Sequence, residues 1–166
     1  MKNIILIGMS GSGKTTVADL CSKIYNRVFD TDEYIESLHG SISEIFAKFG
    51  EEHFRNLETA ALREICRNDN CIISTGGGCV MRDENVRIMK EGGKIVYLRA
   101  KSETLLKRLE GDNTRPLLAG NRAERLAELF KKRAPVYERV ADIIVDTDGL
   151  TPAEVLENIF DNIGRE

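Results

Sequence analysis

The residues best suited to chemistry lie near the start of the chain, in a glycine-rich segment. Residues 8–15 read Gly-Met-Ser-Gly-Ser-Gly-Lys-Thr, and they stand between an apolar run at 4–7 and a helical pattern. In this strand–loop–helix setting, backbone N–H groups converge on a phosphate chain and the helix directs its positive end there. Lys14 can reach the outer phosphates and the Thr15 hydroxyl can ligate Mg²⁺. Out of this setting the pattern can be a simple turn; here it predicts a site for a purine nucleoside triphosphate.

Two carboxylates follow the second predicted strand. The segment Phe29-Asp30-Thr31-Asp32 places them at the carboxyl end of a parallel strand, where ligands bind in open α/β sheets. If the chain stays extended through Thr31, Asp30 and Asp32 point to the same side, toward the glycine-rich loop. Asp30 can then hold Mg²⁺ through water, and Asp32 can accept a hydrogen bond or a proton from a substrate hydroxyl. The alternative is that one of them only caps the next helix.

Two predicted helices carry charged residues on their apolar faces. Glu58 lies within the apolar arc of the helix at 52–67, and Arg55 stands three residues earlier, at ion-pair separation. Arg133 lies on the apolar face of a helix that we expect to end there, before Pro135. The pair can be only structural and Arg133 can snorkel along the surface. Arginines directed inward also receive carboxylates, and two of them predict an anionic second substrate.

The third predicted strand ends in three consecutive glycines, Gly76, Gly77 and Gly78. They remove every side chain from a short stretch, so that a ligand can closely approach backbone N–H groups. One or two glycines are enough for a tight turn. The third therefore favours a binding surface.

Elements that would position these residues alternate along the chain as short apolar runs and amphipathic segments. This alternation is typical of β–α units that build a parallel sheet with helices on both faces. We predict strands at 3–7, 27–29, 71–74, 94–98 and 142–145. We predict helices at 14–24, 34–38, 42–49, 52–67, 82–90, 102–109, 122–133 and 152–162.

Local signals refine this layout. Ser41 to Glu44 is a capping-box pattern, and Gly50 is a plausible end for the helix that it begins. The stretch 110–121, which contains Arg115, interrupts the helical pattern and is expected either as a mobile cover over the nucleotide or as a surface loop.

Composition bounds the remaining possibilities. The chain has 166 residues, 42% of them apolar, which suits one compact domain. Its net charge of −3 argues against a nucleic-acid surface. The apolar start is too short for a signal peptide or a membrane span, so we expect a cytoplasmic protein without membrane contact. The four cysteines lack metal-ligand spacing and are expected as reduced thiols.

The order and spacing of these motifs resemble those of the shikimate kinase family over virtually the whole chain. The motifs that carry the resemblance are the loop at 8–15, Phe29-Asp30-Thr31-Asp32, Phe54-Arg55, Gly76-Gly77-Gly78, Arg115-Pro116-Leu117-Leu118 and Lys132-Arg133-Ala134-Pro135-Val136-Tyr137. The resemblance implies an α/β fold of the P-loop kinase type, with three layers, a five-stranded parallel sheet flanked by helices and a mobile lid, like nucleoside-monophosphate kinases. It implies one domain over 1–166, with a substrate-binding insert at about 31–60 and the lid at about 110–121.

The implied reaction is transfer of the γ-phosphoryl group of ATP to the 3-hydroxyl of shikimate, a step toward chorismate and the aromatic amino acids. ATP and shikimate would be the partners of a monomeric enzyme. Rival expectations are a kinase of another small hydroxy acid such as gluconate, a nucleoside-monophosphate kinase, and a nucleotide-binding relative without turnover.

The resemblance also implies roles for individual residues. Lys14, Asp32 and Arg115 would be catalytic, and one Mg²⁺ ion would be held by Thr15 directly and by Asp30 through water. ATP would be bound by Gly11, Ser12, Gly13, Lys14, Thr15, Thr16, Arg108 and Arg115. Shikimate would be bound by Asp32, Arg55, Glu58, Gly76, Gly77, Gly78 and Arg133. Gly149 and Leu150 stand where some members carry basic side chains, so adenine would meet backbone and apolar groups there.

Overall fold

The architecture is a parallel sheet with helices on both faces. The computed structural model describes residues 2–25, 27–110 and 121–164. The strands are β1 (Asn3–Ile7), β2 (Arg27–Asp30), β3 (Cys71–Ser74), β4 (Gly93–Arg99) and β5 (Ile143–Asp146). They form one five-stranded sheet in the order β2-β3-β1-β4-β5, and every pairing is parallel. The α/β fold class expected from the sequence is confirmed, and each strand lies within one residue of its predicted bounds.

Helices cover both faces of this sheet. In the described part of the chain they are α1 (Lys14–Leu20), α2 (Thr31–His39), α3 (Ile42–Ile65), α4 (Asp83–Gly92), α5 (Ser102–Leu109), α6 (Arg122–Val140) and α7 (Pro152–Ile163). Short 3₁₀ turns follow α1 and the glycine segment, at Cys21–Lys23 and Cys79–Met81.

Alternate residues of β1 explain the layering. Ile5 and Ile7 pack into a core with residues of α3, α4 and α6, whereas Ile4 and Leu6 pack on the opposite face with residues of α1 and α7. All of these β1 side chains are buried, which is the pattern of a strand covered on both sides.

Two helix predictions, for α2 and α6, were wrong in ways that matter for the site. The chain becomes helical at Thr31 rather than at residue 34, because Asp30 caps α2 there by accepting hydrogen bonds from the N–H groups of Asp32 and Glu33. The break predicted at Gly50 between the helices at 42–49 and 52–67 is confirmed, because the backbone of α3 is non-helical there, with φ of 84° and ψ of 173°. The predicted end before Pro135 was also wrong, since α6 continues to Val140.

Burial accounts for the continuation of α6. A proline inside a helix loses one backbone hydrogen bond and costs about 3 kcal/mol. Beyond Pro135, however, α6 places Tyr137 and Val140 in the core, where they are 0% and 5% exposed. Two buried side chains of this size offset a cost of that order.

The Ser41 half of the predicted capping box is confirmed, because its hydroxyl accepts from the Glu44 N–H group. The same signal was overlooked at Thr151 and Glu154, which form a complete capping box at the start of α7. The lid expected at about 110–121 falls largely on residues 111–120, which lie outside the described residues together with Arg115.

One buried side chain joins the amino-terminal ends of three strands. Asn3 is 1% exposed. Its amide donates to the carbonyls of Asn68 and Gly92, at 2.6 and 3.0 Å, and its Oδ1 accepts from the Cys71 N–H group at 2.9 Å. Asn3 therefore connects β1 to the residues that begin β3 and β4.

We expect Asn3→Ala to lower the free energy of unfolding by about 2–4 kcal/mol, because it leaves several buried backbone groups without partners. Urea titration followed by circular dichroism would measure this. The matched control is Asn158→Ala, which removes an exposed asparagine that bonds only within its own helix; its effect should stay within about 0.5 kcal/mol. Equal effects of the two substitutions would show that Asn3 does not join the strands energetically.

Candidate active site

The glycine-rich loop connects the carboxyl end of β1 to the first turn of α1. Lys14, the first residue of α1, is 8% exposed. Its ammonium group donates to the carbonyls of Gly8 and Met9, at 2.8 and 2.9 Å. The cationic end of Lys14 thus lies against the loop backbone, beside the positive end of α1, where an anion is favoured.

Thr15 and Asp30 bring two oxygen atoms together at the edge of the loop. The Thr15 hydroxyl donates to Asp30 Oδ2 at 3.0 Å, while Asp30 Oδ1 is occupied in capping α2. A hydroxyl and a carboxylate are hard oxygen donors of the kind that Mg²⁺ prefers. The capping alternative that the sequence left open is therefore correct for Asp30, which still directs its second oxygen at Thr15.

Asp32 lies in the first turn of α2. The extended segment through Thr31, which would have pointed Asp30 and Asp32 to the same side, is therefore not formed. A second contact holds this turn in place, because Thr31 Oγ1 accepts from the Gly76 N–H group at 3.1 Å. The helical turn brings Asp32 to the carboxyl end of β3 by a route that the sequence did not indicate. Asp32 lines the same cleft as the glycine-rich loop.

The ion pair predicted on α3 is present. Arg55 Nη1 donates to both oxygens of Glu58, at 3.0 and 3.2 Å, and Nη2 donates to Glu51 at 3.3 Å. The Glu58 side chain is fully buried, whereas that of Glu51 is 55% exposed. Burial raises the pKa of Glu58 to about 7, although the neighbouring Arg55 acts in the opposite direction.

Arg133 is the second buried cation of the site. It is 6% exposed on α6, so the alternative of a surface-snorkelling arginine is wrong. One turn further on, the Tyr137 hydroxyl donates to the Gly77 carbonyl at 2.5 Å. The middle of α6 therefore packs against the glycine segment.

Each glycine of the segment leaves room for a charged side chain. A Cβ atom at Gly76 would lie 2.7 Å from Glu58 Oε1 and 3.0 Å from Asp32 Oδ1. At Gly77 it would lie 3.0 Å from Arg133 Nη1, and at Gly78 it would lie 2.5 Å from Arg55 Nη2. The distances of 2.7 and 2.5 Å are shorter than real Cβ contacts, and those of 3.0 Å are tighter than most of them. A side chain on this segment would therefore displace the charged groups that occupy the space.

A cleft of about 710 Å³ joins the two halves of the site. Every described residue that the sequence analysis proposed for the site lines it: Gly11, Ser12, Gly13, Lys14, Thr15, Thr16, Asp30, Asp32, Arg55, Glu58, Gly76, Gly77, Gly78, Arg108 and Arg133. Arg108 Nη1 donates to the Gly11 carbonyl at 3.1 Å, so this side chain lies against the phosphate loop.

Apolar lining residues were missed by the sequence analysis. Ile42, Phe46, Phe54 and Leu129 line the cleft near Arg55 and Arg133, and Leu150, Pro152 and Val155 line its other end beside Thr147. Of these, only Phe54, as part of a motif, and Leu150, as a contact for adenine, had been singled out. An apolar residue on a helix predicts burial, and sequence alone does not tell a core position from the wall of a cleft.

Comparison with known proteins identifies the chemistry of this cleft. A family model described as shikimate kinase matches residues 10–164. The chain belongs to the shikimate kinase family. It is therefore an ATP-dependent kinase that phosphorylates shikimate, and the family, the enzyme class and the activity expected from the sequence are confirmed.

Full-length relatives in this family support the assignment. The chain is 47% identical to a shikimate kinase of Thermodesulfovibrio yellowstonii, over 99% of this chain and 96% of the relative. It is 44% identical to a shikimate kinase of Dictyoglomus turgidum, over 97% of this chain and 96% of that one.

Solved structures agree on the fold. A shikimate kinase from Acinetobacter baumannii in complex with shikimate superposes with a TM-score of 0.95 at 34% identity, covering 99% of this chain and 94% of that one. The enzyme from Aquifex aeolicus gives 0.85 at 36% identity, covering 98% and 96%. A gluconokinase from Sinorhizobium meliloti gives 0.69 at 16% identity, which shows a shared fold alone.

Within residues 2–25, 27–110 and 121–164, no helix is long and apolar enough to cross a membrane.

The raised pKa of Glu58 predicts how stability changes with pH in this family member. The folded protein holds the Glu58 proton up to about pH 7, whereas the unfolded chain releases it near 4.5. Glu58 therefore contributes stability that is fully present below about pH 4.5 and is lost as the pH rises through about 7.

We expect Glu58→Gln, which stays neutral, to remove this contribution. The free energy of unfolding of the variant should fall less than that of the unchanged protein between about pH 5 and about pH 8. Urea titrations at the two pH values measure the difference, and Glu157→Gln, at an exposed position of α7, is the control. An unchanged pH slope in Glu58→Gln would mean that Glu58 is already ionised beside Arg55 in the folded state.

Proposed function

We propose that the cleft binds ATP and shikimate side by side and transfers the γ-phosphoryl group to the 3-hydroxyl of shikimate, releasing shikimate 3-phosphate and ADP. The observation that carries this proposal is one cleft lined at one end by a phosphate-binding loop and at the other by the buried Arg133, the half-buried Arg55 and Asp32. Transfer of a phosphoryl group needs both reactants in line within one water-poor space.

The nucleotide half of the cleft supports ATP. Backbone N–H groups of the loop, the start of α1 and the Lys14 ammonium group offer positive potential to the phosphates. Arg108, held on the Gly11 carbonyl, adds a cation beside the same loop. Leu150 and Pro152 offer an apolar wall that suits the adenine ring. Arg115, outside the described residues, stays a prediction for the lid.

The acid-binding half supports a small carboxylate. Arg55 and Arg133 would hold the shikimate carboxylate, with Glu58 fixing the orientation of Arg55 through its two hydrogen bonds. Gly76, Gly77 and Gly78 would offer backbone groups to the ring hydroxyls. An acceptor without a carboxylate would offer no anion to Arg133, which is buried, and that is unfavourable.

Thr15 and Asp30 would hold the divalent cation that accompanies ATP, and we propose Mg²⁺ for it because both side chains present oxygen atoms. When bound, the ion neutralises charge on the phosphate oxygens. The chain's own part in the reaction falls to Asp32, which would orient the 3-hydroxyl and accept its proton, and to Lys14, which would contact the transferring group.

The organisation of the protein follows from this site. We propose a single domain, with residues at about 31–60 as the substrate-binding insert, since α2 and α3 carry Asp32, Arg55 and Glu58. A monomer is proposed because residues of one chain line the whole described cleft. All four cysteines are free thiols, as expected from the sequence, which supports the proposed cytoplasmic location.

The direct test is ADP release from Mg-ATP with shikimate, beside gluconate, a panel of nucleoside monophosphates and no acceptor. We expect ADP formation with shikimate alone, and phosphorus NMR of the product should place the new ester at the 3-position. ATP binding without turnover on any acceptor would contradict the proposed reaction, and turnover on gluconate would favour the rival hydroxy-acid kinase.

Removal of the Arg133 charge should impair the use of shikimate and leave the use of ATP almost unchanged. We expect Arg133→Ala to weaken kcat/KM for shikimate by about 2–5 kcal/mol, the order of a lost buried charged contact, while KM for ATP changes little. Steady-state kinetics with each substrate varied in turn measure both. The control is Lys132→Ala, at the adjacent exposed position of α6. Equal losses for ATP and shikimate in Arg133→Ala would refute its assignment to the carboxylate.

Neutralising Asp32 should slow the chemical step. We expect Asp32→Asn to lower kcat by about 10²-fold or more, the usual contribution of a positioned general base, because the amide cannot take the hydroxyl proton. The melting temperature should change little, since Asp30 and not Asp32 caps α2. Near-normal turnover would show that Asp32 serves only the first turn of the helix.

A further inference from the structure

Tyr137 is a buried polar residue to which the proposed mechanism gives no role. It lies on α6 one turn after Arg133 and is 0% exposed. A buried tyrosine hydroxyl normally finds a hydrogen-bond partner. The partner here is the Gly77 carbonyl, 60 residues earlier in the chain, at 2.5 Å. The bond therefore connects α6 directly to the segment that follows β3.

Arg133 and Tyr137 both lie close to the same side of Gly77. A Cβ atom built on that glycine would lie 3.0 Å from Arg133 Nη1 and 3.5 Å from the Tyr137 hydroxyl oxygen. The two side chains are therefore neighbours above one peptide. Burial raises the pKa of Tyr137, and the nearby Arg133 charge acts in the opposite direction, as expected for a cation close to the hydroxyl.

Other contacts hold the Tyr137 ring in place. Its centroid lies 4.9 Å from that of Tyr97 on β4, with the ring planes tilted by 32°. Its hydroxyl also lies 3.7 Å from the sulfur of Met9, a residue of the phosphate-binding loop. The hydroxyl thus has a fixed position between the two halves of the cleft, with its ring packed in the core.

We propose that Tyr137 is a positioning residue for the acid substrate, whose hydroxyl sets the orientation of the Gly77 peptide and of the adjacent Arg133 guanidinium group. The inference rests on the proposed function, because it assumes that Arg133 receives the substrate carboxylate. Tyr137 would not touch the substrate. It would act through the two groups that do.

The test compares the same substitution in two neighbouring rings. Tyr137→Phe removes only the hydroxyl, and Tyr97→Phe makes the same change in its ring neighbour. We expect Tyr137→Phe to raise KM for shikimate about 3- to 10-fold, the range that one neutral hydrogen bond contributes. Both kcat and KM for ATP should stay within about two-fold, as should all constants of Tyr97→Phe. No change in KM for shikimate, or an equal rise in both KM values, would overturn the inference.

Coupling to Arg133 is tested by a double-mutant cycle. If Tyr137 acts through Arg133, Tyr137→Phe should weaken kcat/KM for shikimate less in the Arg133→Ala background than in the unchanged protein. If the two substitutions lower kcat/KM for shikimate by factors that simply multiply in the double variant, Tyr137 does not act through Arg133.

A binding measurement keeps the outcome independent of turnover. Shikimate should raise the melting temperature of Tyr137→Phe less than that of the unchanged protein, while ATP should raise both equally. Equal shifts by shikimate in the two proteins would overturn the positioning role. Failure of the proposed function would look different, because the unchanged protein and Tyr97→Phe would then also show no turnover of shikimate.

Discussion

The acid-binding half of the cleft depends on buried and half-buried charges that must be compensated. Three glycines, which have no side chains, lie against four charged residues: Asp32, Arg55, Glu58 and Arg133. An isolated charge in such a place would cost several kcal/mol, so each needs an opposite charge or a hydrogen bond nearby. The glycines permit this close approach of charged side chains. The positions of these side chains in turn determine where an anionic ligand can bind.

Strand order brings this cluster beside the phosphate loop. In the order β2-β3-β1-β4-β5, β3 lies between β2 and β1. The carboxyl ends of these three neighbours deliver Asp30, the glycine segment and the glycine-rich loop to one edge of the sheet. Ligands of open α/β sheets bind at this edge. Residues from distant parts of the sequence therefore meet without any long loop being needed to bring them together.

Much of the fold could be predicted because its signals are local. Apolar runs located every strand to within one residue, and the spacing of Arg55 and Glu58 predicted their contact. Prediction failed where a helix cap lies earlier than expected and where tertiary packing overrides local preference. Asp30 begins a helix earlier than its neighbours suggest, and burial of Tyr137 and Val140 carries α6 past Pro135. Tyr137 was missed as part of the site because a buried tyrosine on a helix predicts core packing, and its Gly77 partner is far away in sequence.

The kink in α3 restricts which residues can replace Gly50, although the space around that position is open. Gly50 has φ of 84°, and a Cβ atom there would meet no other atom within 4 Å. Space is therefore open for a Cβ atom, yet a positive φ combined with ψ of 173° is adopted almost only by glycine and costs other residues about 1–3 kcal/mol. The residue separates the part of α3 that bears Phe46 from the part that bears Arg55. Gly50 matters to the wall of the cleft because of its backbone angle, and neither the chemistry of glycine nor side-chain contacts would indicate this role.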